Sequence, residues 1–371
     1  MDLNNPIVTP NARHVSGRCM LAGKAVEFVS YSVTSNGFRG ASTFDLTLAI
    51  SALPPEYGMD WFSKQTSITI ELYSDLITVS GTDSKRLIKG NVDEIDYDPA
   101  RFTISLTGRD FTALFIDAKS AGETFKNYTS SQIIQMLAEK QGLKAEVTPT
   151  TQRFGEFYQI DSAHLTGEQT QWDLMTTLAG LENYAVWIDG DTVYFHPEAS
   201  ATTSEQYVIR WQPPGLLAYP QANVSDDLRF SRALTISKGV TVEVLSWNSK
   251  RKNKQFIASY PKRAKSATPG SSTPKTQVYR IIRNGLSPEQ ANALAEKIYR
   301  DVVLHEMKMS CSTAGDNLLT PRTLIRIEGT KSMFDQNYWC DAVTRTLDWD
   351  GGYVMTISAK NHSPALEVTT S

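Results

Sequence analysis

Short runs that alternate apolar and polar residues constrain this chain more than any other feature of its sequence. In STFDLTLAI, Phe44, Leu46, Leu48 and Ile50 share one face while Thr43, Asp45 and Thr47 take the other. SITIELYSD repeats the pattern with Ile68, Ile70 and Leu72, and RFTISLTG does so with Phe102, Ile104 and Leu106 against Thr103, Ser105 and Thr107. A period of two belongs to a strand with one buried face. Asp98-Pro99 supplies a turn in which proline presets φ. Several short strands separated by turns predict an antiparallel barrel or sandwich.

The pattern changes after Gly108. NYTSSQIIQMLAEKQGL reads as a helix capped by Thr129 or Ser130, striped by Ile133, Ile134, Leu137 and Ala138, and stopped by Gly142. TQWDLMTTLAGLENY reads as a second, with Trp172, Met175 and Ala179 on one side and Leu174, Leu178 and Leu181 adjoining. The two share a frame, Leu137-Ala138 matching Leu178-Ala179 at an offset of 41 residues. YAVWIDGDTVYFHPE closes the segment as a hairpin turning at Asp189-Gly190. Strands return from about residue 205, as in GVTVEVLSW, where Val240, Val242 and Val244 alternate with Thr241, Glu243 and Leu245. A basic run and a Ser/Thr/Pro/Gly stretch follow, and 264–275 reads as a mobile loop. In LSPEQANALAEKIYRDVVLHE, Ser287 is the expected N-cap, Pro288 the first helical residue and Gln290 the partner in a capping box. Ala291, Leu294, Ile298 and Val302 are its expected buried face, and Asp350-Gly351-Gly352 turns a last hairpin. The expected layout is a first β domain at 1–108, an inserted α/β domain at 109–200, and a second β domain at 201–371. That last domain would carry a mobile basic loop (250–275) and a helix (287–305).

Length and composition set outer limits. The 371 residues suffice for two or three cores, and 40% hydrophobic with 21% charged residues is ordinary for a soluble domain. A net charge of −3 argues against wholesale binding to a nucleic-acid backbone. Cys19, Cys311 and Cys340 lie far apart with no CxxC pair, so a reducing compartment is expected rather than a disulfide framework. MDLNNPIVTPNARHVSG lacks a basic start and an apolar stretch, so no signal peptide is expected. No apolar run approaches the ~18 residues of a membrane span, so no membrane anchor is expected either.

Candidate chemistry is sparse. His305-Glu306 opens HEMKM, which lacks the second histidine of a zinc-protease helix, and His14, His164, His196 and His362 have no ligand-like spacing. Asp189-Gly190-Asp191 runs straight into a strand, so it reads as a turn and not as a calcium loop. Gly108, Arg109 and Asp110 sit where a strand stops, but no GxSxG, Cys/His pair or phosphate loop accompanies them. They read as a domain junction held by a buried or half-buried ion pair. No catalytic residue, cofactor or metal is expected. Lys250, Arg251, Lys252, Lys254, Lys262, Arg263 and Lys265 fall in a stretch with no acidic residue from 244 to 288. That segment is a candidate contact for an acidic partner, against the plainer reading of a solvated loop.

The order of parts carries a resemblance. TISLTGRDFTALFIDAKS is followed by ETFKNYTSSQIIQMLAEKQGL and by TQWDLMTTLAGLENYAVWIDGDTVYF. SPEQANALAEKIYR, RTLIRIEGT and LDWDGGYVMTISA close the chain. Over about residues 30–362 this resembles the central baseplate hub proteins of contractile-tailed phages, the Mu-like hub and late control protein D group. The resemblance implies a non-enzymatic homotrimer whose chains each supply two tail-tube-like β-barrels with an α/β insert between them. Six similar barrels would then match a three-fold central spike to a six-fold tail tube. Implied partners are the spike, the tube or its initiator, baseplate wedge proteins and the C-terminus of the tape-measure protein, with DNA only in passage through the lumen. The implied location is the tail baseplate of a virion assembled in the host cytoplasm. Gly108 would let the chain turn out of the first barrel, and the basic 250–265 segment maps onto no family motif. The hub of a pyocin or type VI-like machine, and a peptidoglycan-binding or hydrolysing tail protein, are the alternatives.

Overall fold

The structure, a computed structural model, describes residues 14–37, 40–78, 81–119, 125, 127–151, 153–154, 170–182, 184–198, 206–213, 227–233, 240–248, 254–261, 277–283, 286, 288–303 and 307–361. The first β segment comprises β1 (His14–Leu21), β2 (Lys24–Val26), β3 (Ser30–Asn36), β4 (Thr43–Ala49), α1 (Met59–Lys64), β5 (Thr69–Thr78), β6 (Gly81–Asp98) and β7 (Thr103–Asp110). Its strands pair antiparallel in the order β3-β4-β7-β6-β5-β1-β2. The alternation seen in the sequence decides the faces: Phe44, Leu46, Leu48, Ile104 and Leu106 are buried in one core with Ile70 and Leu72. Phe102 departs from the expected stripe and is 64% exposed. It sits in the turn before β7 at φ +56°, where the Asp98 carboxylate accepts from the amides of Ala100 and Arg101. An aspartate-anchored turn thus fixes the backbone and sends the ring outward.

An α/β segment follows, with α2 (Thr112–Asp117), β8 (Tyr128–Thr129), α3 (Ser130–Lys140), β9 (Lys144–Val147), β10 (Arg153–Phe154), α4 (Gln171–Glu182), β11 (Tyr184–Asp189) and β12 (Thr192–Pro197). It gathers around its own core of Phe115, Ile134, Leu137, Met175, Leu178 and Phe195, among others. Thr129 caps α3 in a reciprocal box with Gln132. At the other end Gly142, at φ +73°, lets Leu143 donate back to the Ala138 carbonyl at 2.9 Å. The start of α4 repeats the device 41 residues on, as the Thr170 hydroxyl accepts from the Asp173 amide (3.0 Å) and the Asp173 carboxylate from the Thr170 amide (3.2 Å). The shared frame read from the leucines therefore extends to the caps. It stops at the strands, since β9 lies parallel to β12 while β11 forms the antiparallel hairpin with it.

The last segment holds β13 (Gln206–Arg210), β14 (Leu228–Arg232), β15 (Val240–Asn248), β16 (Lys254–Tyr260), β17 (Gln277–Ile282), α5 (Pro288–Val303), β18 (Met307–Ala314), β19 (Leu324–Glu328), β20 (Asn337–Asp348) and β21 (Gly352–Asn361). Strands β15, β16 and β17 form a separate three-stranded sheet with α5 packed on it. The seam of α5 is Ala291, Ala295 and Tyr299, with Leu294, Ile298 and Val302 on its flank. Small alanines let the helix axis approach the sheet, which shifts the buried line off the larger side chains. Ser287, the expected cap, lies outside the described residues.

Strands of both β segments belong to one sheet, thirteen-stranded among the described residues, because β20 pairs with β3. The first half of β20 pairs with β19 through Asn337, Tyr338 and Trp339, and its second half with β3 from Ala342 to Leu347. The change comes at a bulge between Cys340 and Ala342. The bulged Asp341 pairs with Lys360 of β21 at 2.7 Å. The first segment contains the same device: β6 bulges between Val92 and Glu94, and the intervening Asp93 pairs with Arg109 of β7 at 2.6 Å. Both closing strands also carry Thr-Ile-Ser, at 103–105 and 356–358.

Cys19 lies in the first core, and Cys311 and Cys340 in that of the last segment. Burial pushes the Cys19 and Cys311 thiols up to about 12 and raises that of Cys340 as well. A thiol reagent at pH 8 is expected to leave the native chain unmodified and to titrate all three cysteines after unfolding in guanidinium, as read by mass spectrometry.

Candidate functional site

The functional geometry of the described residues lies where the three segments touch. Gly108 is part of the extended strand β7 and does not turn the chain. A Cβ there would collide with the Asn91 carbonyl oxygen and lie 2.6 Å from Cζ of Phe44, so the position is small because a core aromatic packs over it. Arg109 and Asp110 do not pair with each other. Neighbours on a strand point to opposite faces, and each finds its own partners. Arg109 bridges the bulged Asp93 (2.6 Å) and Asp117 at the end of α2 (3.1 Å), tying the first sheet to the first helix beyond it. Those carboxylates raise its pKa. Asp110 is buried and accepts from the Ser42 and Thr112 amides, both at 3.0 Å, and desolvation pushes its carboxyl up.

The turn Asp189-Gly190-Asp191 is a hairpin turn, as expected, and also the foot by which the α/β segment stands on β6. Asp191 meets Lys89 at 2.7 Å and Asp189 meets Arg86 at 3.3 Å, with Gly190 pressed against that guanidinium. Arg86 and Lys89 share a face only because Leu87 is an extra residue in the β5–β6 register, which pairs Tyr73 with Arg86 but Leu72 with Ile88.

No sequence signal singled out the loop between β18 and β19, yet it touches all three segments. Asp316 accepts from the Tyr207 hydroxyl (2.5 Å) and from the amides of Leu318 (2.9 Å) and Leu319 (3.1 Å). Asn317 accepts from the Ser74 hydroxyl (2.5 Å) and donates to the Asp83 carbonyl (3.0 Å). Its own carbonyl takes Lys85 Nζ at 2.8 Å. Buried Arg345 donates to the carbonyls of Asp316 (2.9 Å) and Leu319 (2.5 Å). Arg322, at φ +71°, stacks its guanidinium 4.1 Å from the Trp187 ring centroid, and burial lowers its pKa to about 10. An Asp with amide donors two and three residues on is a legible turn motif; its long-range partners are not. Between this loop, β6 and the β11–β12 hairpin lies a cavity of about 320 Å³.

The other sequence candidates are dispersed. Lys250, Arg251, Lys252, Lys262, Arg263 and Lys265 lie outside the described residues, as do His305 and Glu306, and Lys254 begins β16. Among the described residues no group of three or more His, Cys, Asp or Glu is placed to hold a metal, and no helix is long and apolar enough to cross a membrane.

No family model and no curated protein matches the chain by sequence. Solved structures match it over nearly its whole length. A tail protein from Neisseria meningitidis superposes with a TM-score of 0.69 at 13% identity, covering 94% of this chain and 96% of that one. The 43 kDa tail protein of prophage MuSo2 from Shewanella oneidensis gives 0.66 at 16% identity, covering 93% and 98%. An Escherichia coli component of the type VI secretion system, described as similar to the T4 tail proteins gp27 and gp5, gives 0.52 at 10% identity, covering 93% and 77%. The β-rich fold of this chain, with its large antiparallel sheet and few helices, is that of these phage tail proteins.

Two substitutions test the junction. Asp316→Ala strands a buried tyrosine hydroxyl and two amides, and is expected to cost about 3 kcal/mol in urea unfolding. Gly108→Ala is expected to cost about 1–3 kcal/mol, because backbone and Phe44 must both move.

Proposed function

We propose that this chain is a structural subunit of a contractile phage tail, the baseplate hub that joins a three-fold central spike to the six-fold tail tube. The observation that carries the reading is the repeated hairpin, with a bulged aspartate ion-paired to the closing strand in each β segment. Two like β units per chain, in a homotrimer, would supply six equivalent positions around a ring and so reconcile the two symmetries. The fold likeness to tail proteins supports the same conclusion.

On this reading each β segment closes as a tube-like barrel, and the α/β segment is an insert at the rim. The lumen passes tape-measure protein and DNA, and the protein resides in the virion baseplate beside the wedge proteins. Its work is interface geometry rather than catalysis, and closure of the ring covers sheet edges that a lone chain exposes. The basic segment from Lys250 to Lys265 is a candidate contact for one of these partners. Likeness to the Escherichia coli secretion component favours, as a second reading, the hub of a related injection machine.

Light scattering on the purified protein is expected to give three times the chain mass, and negative-stain averages a ring with six-fold-like density around a hole. A monomer that stays monomeric with the spike protein added would overturn the hub reading. Mass spectrometry of induced phage particles separates the two machines, since only a tail protein copurifies with packaged virions.

A further inference from the structure

We propose that the cavity where the three segments meet is a binding site for a small phosphate-class oxyanion. Its volume of about 320 Å³ leaves room for such an ion with several waters. Five cationic side chains line it, Lys85, Arg86, Lys89, Arg322 and Arg345, against two carboxylates, Asp110 and Asp189. Asp189 is engaged by Arg86 at 3.3 Å, and Asp110 accepts from two backbone amides. Outside the lining, Lys89 has Asp191 at 2.7 Å, and Glu71 lies 3.7 Å from Lys89 and 4.0 Å from Arg86, so these two cations are paired.

The other three cations meet no carboxylate within ion-pair distance among the described residues. Lys85 donates to the Asn317 carbonyl (2.8 Å), and Arg345 to the carbonyls of Asp316 (2.9 Å) and Leu319 (2.5 Å). Arg322 lies on the Trp187 ring with Nη1 3.5 Å from the Gly37 carbonyl. Carbonyl dipoles orient a cation without cancelling its charge, and like charges in a partly desolvated space repel strongly. Burial and the field of Arg345 lower the pKa of Lys85 against the opposing fields of Asp316, Asp189 and Asp83. The cations come from β6, the β18–β19 loop and β20, so they converge from different directions. That suits a tetrahedral, doubly charged oxyanion with several acceptors better than a planar monovalent carboxylate. An ion held there would cross-link the first and last segments, and this inference does not rest on the assignment to a tail hub.

The test uses the full chain at constant ionic strength, balanced with sodium chloride. Inorganic phosphate is titrated by calorimetry and by thermal unfolding, with succinate in a parallel arm. Expected is one saturable phosphate site per chain, a Tm that rises with phosphate as binding linkage requires, and succinate at least tenfold weaker. Lys85→Gln, which keeps a donor for the Asn317 carbonyl, and Arg322→Gln should each weaken phosphate binding at least tenfold. Arg229→Gln, an exposed cation away from the cavity, should leave it unchanged. If circular dichroism finds Arg322→Gln unfolded, Lys85→Gln carries the comparison alone. Absence of a response beyond that to chloride, full binding in folded Lys85→Gln, or succinate binding as tightly as phosphate would each overturn the proposal.

Discussion

The bulge at Asp341 governs how the rest of the molecule is arranged. A regular strand keeps one neighbour along each edge, whereas β20 pairs along the same edge first with β19 and then with β3. The extra residue makes that possible by bending the strand and releasing the ladder for one step. Tyr338, Cys340 and Val343 consequently pack in the core of the last segment, while Leu347 packs against the first. One strand serves two cores, so neither β segment can shift its register without moving the other. The Asp341–Lys360 pair, both side chains about one-fifth exposed, holds the bulged residue in place.

Around that shared strand many of the contacts between segments are polar. Thr34 and Thr344 bond across the seam at 2.9 Å, Ser32 and Thr346 at 3.3 Å, and Asp316, Asn317 and Arg345 sit buried behind them. Buried polar groups are expensive unless every partner is supplied, so such a network tolerates one relative placement of the segments and penalises near misses. An apolar seam would hold the pieces as firmly but less specifically.

Much of the local structure was legible in the chain itself. Alternation placed Phe44, Leu46 and Leu48 in a core, and Thr129 and Gly142 marked both ends of α3. The offset of 41 residues anticipated two helices in a shared frame, and the structure extended that frame to their caps. Where reading failed, a longer-range partner had intervened. Phe102 left its stripe because Asp98 captured the turn, and α5 turned its alanines inward because a sheet lay close against it. Strand β15 alternates like a strand of the main sheet, yet it joined a separate one, since alternation records that a face is buried and not what buries it. Arg109 and Asp110 looked like a pair because they are adjacent, but adjacency on a strand separates side chains.

The sequence by itself determined the local vocabulary: strand faces, turns, caps, and a β-rich chain interrupted by helices. Those follow from interactions within a few residues, where periodicity and backbone preference decide. Tertiary structure alone decided which strand joins the two halves, that the 316–322 loop touches all three segments, and that five cations line one cavity. Partners such as Ser74 and Asn317, 243 positions apart, leave no periodic trace in either neighbourhood. Each is an unexceptional polar residue until the fold removes it from water.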